Sequence, residues 1–103
     1  MAKARVSAGA CGYSAVIKVK KREGRRLSLE ISSDCVMLKA MAEEIGELDW
    51  GKGVLESFAT SKIYKAAEKH LKHASCPVPS AVLKTIEVEI GIALPNEVKI
   101  EIE

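Results

Sequence analysis

Aromatic side chains are scarce. Trp50, Phe58, Tyr13 and Tyr64 are the four in 103 residues, so the core must be aliphatic, and little aromatic surface is left on which bases or sugars could stack. That weighs against a nucleic-acid partner. The start of the chain has no apolar run long enough for a signal peptide or a membrane span. Ala8-Gly9-Ala10-Cys11 has the outline of a lipoprotein cleavage box, but Lys3 and Arg5 stand where its apolar stretch should be. Internal repeats, low-complexity tracts and linkers are also lacking. There are three cysteines, an odd number, and no CxxC spacing joins any two of them. A reducing, cytoplasmic setting is therefore the expectation.

What is present is 48% hydrophobic and 29% charged. That composition suits one domain over 1–103, able to bury about 65% of its unfolded surface. The net charge of +2 conceals an asymmetry. Lys3, Arg5, Lys18, Lys20, Lys21, Arg22, Arg25 and Arg26 crowd the first quarter against the single acid Glu23, and the remainder is net acidic. The basic end either pairs with acids elsewhere in the fold or meets an anionic partner.

Residues 3–8 alternate, with Ala4, Val6 and Ala8 on one face and Lys3, Arg5 and Ser7 on the other, as a half-buried strand does. Gly9 to Gly12 break it. A second strand places Ala15, Ile17 and Val19 inward, and Arg22-Glu23-Gly24-Arg25 reads as a hairpin turn. A third strand places Leu27, Leu29 and Ile31 inward. Ser32-Ser33-Asp34 signals a helix start with Cys35 in its first turn and Asp34 as a cap. Met37, Leu38, Met41, Ile45 and Leu48 follow at helical spacing, to an end near Gly46.

Asp49 to Gly53 read as loop and Val54 to Phe58 as a short helical turn. From Thr60 or Ser61, a helix buries Ile63, Ala66, Ala67, His70 and Leu71 and turns Lys62, Lys65, Lys69 and Lys72 to solvent. Residues 82–92 fit a helical stripe and a strand alternation alike. Pro77 and Pro79 at the start and Gly91 at the end favour the helix. Leu94-Pro95-Asn96 then turns the chain into an alternating strand through Val98, Ile100 and Ile102. The expected architecture is an α+β two-layer sandwich, a four-stranded, mostly antiparallel sheet with about three helices on one face, in the order β-β-β-α-α-α-β.

Chain parity in that order carries a functional consequence. If the first strand runs upward, Cys11 lies in an upper turn and the third strand rises to Cys35. A descending helix and a climbing one then bring Cys76 to the same pole. Cys35 and Cys76 would each stand near a helix N-terminus, which favours the thiolate. The resulting candidate is a metal site of Cys11, Cys35 and Cys76 with His73 or His70 as a fourth ligand. With an open position it would suit an iron–sulfur cluster, and closed by histidine it would suit Zn. Against this stand simpler roles: free cysteine is commonly a small buried hydrophobe, His70 lies on an apolar helix face, and His73 sits where it could cap a helix.

No Ser/His/Asp set or paired carboxylates can be read, so nothing marks a stand-alone enzyme and no catalytic residue is assigned. Gly9–Gly12 and Gly51-Lys52-Gly53 lack the strand–loop–helix setting of a phosphate loop. Cys11-Gly12, Ser33-Asp34-Cys35 and Ala-Ser-Cys-Pro-Val-Pro at 74–79 resemble a small uncharacterised family of anaerobic microbes, over nearly the whole chain. That resemblance implies no activity.

Three functional readings follow. The first is a cysteine-site protein acting as a carrier or redox accessory with a redox or metalloprotein partner. The second is a non-enzymatic module that binds an anionic partner, RNA or phosphate, through the basic hairpin 18–26. The third is an interaction subunit with packed cysteines. Lys18 and Lys20 are expected to face Glu30, or Glu97 and Glu101, across neighbouring strands, which would neutralise most of the basic run. The polar sheet face would be solvated or form a homodimer contact.

Overall fold

A computed structural model describes residues 1–9 and 12–103. Three strands, β1 (Ala2–Ser7), β2 (Ser14–Lys21) and β3 (Arg26–Ser33), form an antiparallel meander. The helix α1 (Val36–Ile45) then leads to a short strand, β4 (Glu47–Asp49), which pairs antiparallel with β3, and the chain continues through α2 (Lys62–His70) and α3 (Val78–Glu89). The sheet order is β1-β2-β3-β4. The two-layer, α+β, four-stranded architecture is as expected, with the element order β-β-β-α-β-α-α.

The fourth strand is therefore not the one its alternation advertised. Glu47-Leu48-Asp49 takes the place beside β3, in register with Ser28, Leu27 and Arg26, and Leu48 is buried as a strand residue rather than on the face of α1. Residues 92–103 pair with no strand, and every one of them is exposed. Alternation states that one face seeks burial, but a strand also needs a free edge within reach. Val54 to Phe58 form turns rather than helix, although Val54 is buried.

The inward residues of β2 and β3, Ala15, Ile17, Val19, Leu27, Leu29 and Ile31, are all buried. They pack in one cluster with Leu38 and Met41 of α1, Ile63, Ala66 and Ala67 of α2, and Val78, Val82 and Ile86 of α3. The burial is period two in the strands and near 3.6 in the helices, which is why the sequence forms these elements. The helix reading of residues 82–92 holds as far as Glu89, with Pro79 in the first turn, where its missing N–H costs nothing.

The helix α3 lies over β1 and β2, and its last turn is fixed by one carboxylate. Glu89 accepts the Lys21 amide at 2.8 Å and lies 3.4 Å from the Met1 amine, with its side chain only 12% exposed. Burial pushes the Glu89 pKa up, but the Lys21 amide, the Met1 amine and the Ala2 amide outweigh it and hold it below its ordinary value. Beyond it, Gly91 with φ +86° donates to Val88 and Ile92 donates to Glu87. Together these two bonds make a Schellman ending, which needs the left-handed glycine and directs the chain away from the helix.

Candidate functional site

The uncovered face of the sheet is basic. Lys3 and Arg5 of β1 project from it exposed, as does Lys20 of β2, with Lys18 half-buried between them. In the register Lys3 stands directly opposite Lys18, a like-charge pair that works against sheet stability, while Lys18 in turn faces Glu30 and Lys20 faces Ser28. Glu97 and Glu101, expected to neutralise this face, lie in the unpaired tail. That corrects the expectation of cross-strand cancellation: Glu30 alone is in place. Among the described residues no carboxylate comes within 4.0 Å of Lys3, Arg5, Lys18 or Lys20.

At the lower end of this face the β2–β3 hairpin closes through Arg22 N–H to Arg26 and Arg26 N–H to Glu23, as the turn sequence predicted. Lys21, Arg22, Glu23 and Arg26 line an open concavity with Glu47 of β4. Arg26 pairs with Glu47 at 2.6 Å and the Arg22 guanidinium donates to Ser28, so those two cations are positioned rather than free. Arg25 lies against Gly51, where a Cβ would come 2.6 Å from the arginine side chain. Glu47 was missed from the sequence because β4 has only three residues. The signal was present in Glu47-Leu48-Asp49, where one apolar residue stands between two acids.

Cys11 lies outside the described residues. Cys35 is 9% exposed and stands at the N-cap position of α1, one residue before the first turn expected of it. Its amide donates to Ser33 Oγ at 3.1 Å, and Asp34 makes no capping bond. The serine closes the turn because its hydroxyl also donates to the Ser14 carbonyl at 2.7 Å, tying the helix start to β2. Cys76 is half-buried against the core just before Pro77, and both described thiols are free.

The flanks of the first two cysteines meet: Gly12 to Val16 and Ser32 to Asp34 line one shallow cleft of about 340 Å³. The α3 C-terminus is at the Ala2 and Lys21 end, so its N-terminus, after Cys76, points toward this cleft end. The helix α2 starts near the hairpin end, where the Lys62 amide donates to Gly53 and the Trp50 amide to Arg25. Its last turn lies beside the last turn of α1, with His70 donating to Glu44 at 2.8 Å and Lys69 3.2 Å from the same carboxylate. His70 is thus a partly buried, paired histidine rather than a packed core one. These two bonds, with His70 foremost, hold the Glu44 pKa below its ordinary value. His73 is exposed beyond the Leu71 cap of α2 and accepts the Cys76 amide through its backbone carbonyl, so it caps nothing with its ring. Among the described residues no three His, Cys, Asp or Glu side chains are grouped so as to hold a metal, and no helix is long and apolar enough to cross a membrane.

No curated protein and no solved structure matches the chain. A family match extends over residues 2–102, taking in the sheet, the three helices and nearly all of the tail, and on it the chain belongs to the family of unknown function DUF6951.

Proposed function

We propose that the protein is a non-enzymatic binding module whose open sheet face takes a phosphate-bearing polyanion, with RNA read through its backbone rather than its bases. The observation that carries this is the Lys3–Lys18 pair held opposite each other on an uncovered face. Two ammonium groups placed so repel in the free protein and are relieved when an anion bridges them. Lys20 and the hairpin cations extend the same field toward Lys21 and Arg22. The scarcity of aromatic residues fits contact with phosphates and no stacking. A labelled oligouridylate should bind with an affinity that falls as salt rises. Lys18→Gln with Lys20→Gln should lower the log–log salt slope by about 1 to 2. No binding at low salt, or a slope unchanged by the double variant, would overturn it.

A second reading rests on the cleft that the neighbours of Cys11 and Cys35 share. Here Cys11, Cys35 and Cys76, with His73 as a further ligand, hold an iron–sulfur cluster or Zn for a redox or metalloprotein partner in the cytoplasm. Protein made and kept without oxygen should carry iron or zinc that Cys76→Ala removes. Wild type free of both metals would end this reading and leave the thiols as core packing.

A further inference from the structure

The exposed tail and the exposed sheet edge are complementary. Ile92, Leu94, Val98, Ile100 and Ile102 are all exposed, with Ile100 at 74% and Ile102 at 92%. From Glu97 onward apolar and charged residues alternate, and Lys99 pairs with Glu101 at 2.8 Å. That bond puts the charged side chains on one side of an extended segment and leaves Val98, Ile100 and Ile102 for the other. Nothing in the described residues covers that apolar row. At the same time the outer edge of β1 has no strand beside it among the described residues, and its inward residues Ala2, Ala4 and Val6 are only half-buried where those of β2 are buried.

Charge decides which edge the segment fits. The β4 edge is three residues long and carries Glu47 and Asp49, which repel an acidic strand. The β1 edge is six residues long and carries Lys3 and Arg5 on the face where Glu97 and Glu101 would lie. Direction decides which copy supplies the strand. The tail leaves α3 beside the Ala2 end of β1, where Glu89 holds Met1 and Lys21, and the Schellman turn sends it outward. On its own β1 the tail would run parallel, the weaker pairing, whereas across a two-fold axis it meets β1 antiparallel like the rest of the sheet.

We propose that residues 97–102 of one copy add antiparallel to the open edge of β1 in a second copy, and reciprocally, giving a strand-exchanged homodimer. Val98, Ile100 and Ile102 extend the apolar layer over Ala4 and Val6, while Glu97 and Glu101 lie beside Lys3 and Arg5. The exchange closes after two chains because each copy gives one strand and receives one.

Sedimentation of the full chain tests this, with far-UV circular dichroism to show that each variant stays folded. The wild type should sediment at twice 11.1 kDa, and Ile100→Lys with Ile102→Lys, which touches no core residue, should sediment as a monomer. Lys3→Glu with Arg5→Glu should raise the dimer Kd by about tenfold or more, from up to four lost cross-strand pairs. Adding Glu97→Lys and Glu101→Lys should recover most of it. The idea is overturned by a monomeric wild type, including one whose tail amides are protected against its own β1. It is equally overturned by a dimer that survives the isoleucine changes, or by charge reversal without recovery. Dimerisation is read without polyanion, so its failure leaves the binding-face reading standing, and in the dimer Lys18 and Lys20 of β2, one strand inward from the added acids, keep that face basic.

Discussion

Trp50 buries an indole N–H for which the described residues provide no acceptor. An unmade bond of this kind costs stability, so removing the donor while keeping the ring should be cheap. Trp50→Phe is expected within about 1 kcal/mol of wild type in urea unfolding, against a loss of about 2 kcal/mol for Trp50→Ala, which empties a half-buried space. Equal losses in the two variants would show that the N–H is needed. At the start of α1, the bonds predict a division of labour that composition alone would not. Ser33→Ala loses both the Cys35 amide and the Ser14 carbonyl, for a cost of about 1 kcal/mol. Asp34→Ala, exposed and without a capping bond, should be nearly neutral. The reverse ranking of their unfolding midpoints would restore Asp34 as the cap. The sequence showed a helix start here, but not which of three capping residues would take the role. That choice was made by the Ser14 carbonyl across the sheet.

At the scale of elements, α1 and α2 are held together at their last turns by Glu44. Folding depresses the pKa of Glu44, so its contribution is fully present above the unfolded value of 4.5 and is lost as pH falls through the lower folded value. Wild type should therefore exceed Glu44→Gln in urea midpoint near neutrality, and the gap should close as pH falls below 4.5. A gap unchanged in acid would place the contribution elsewhere.

The elements themselves were largely legible. Strict alternation gave β1 to β3, helical spacing gave α1 and α2, and the prolines with Gly91 settled α3. The errors share a cause. Leu48 continued the stripe of α1, and Val98 to Ile102 read as a strand, because local pattern records which side chains seek burial and not which edge is open to receive them. The site was legible to the same degree. The basic run was plain, but its neutralisation was misjudged because it depended on the tail joining the sheet.

For the whole molecule, the order of the chain and the order of the layers are at odds. The bond from Lys21 to Glu89 spans 68 residues, and the apolar side of β1 and β2 has its cover in α3, the last helix. The meander, by contrast, is built from neighbours in sequence, which close cheaply. Docking of α3 should accordingly come late, after the passage over the main barrier. Ile86→Ala, at a site 1% exposed, is expected to cost about 2 to 5 kcal/mol. Nearly all of that should appear as faster unfolding with refolding little changed, in stopped-flow chevrons. A refolding rate that falls with the full cost would put α3 in the nucleus instead. On the ribosome the same arrangement has a further effect. Ile17 and Val19 are synthesised early yet stay uncovered until Val78 to Ile86 have left the exit tunnel, so the nascent chain presents an incompletely covered aliphatic sheet until its last helix is free, the kind of surface that chaperones hold.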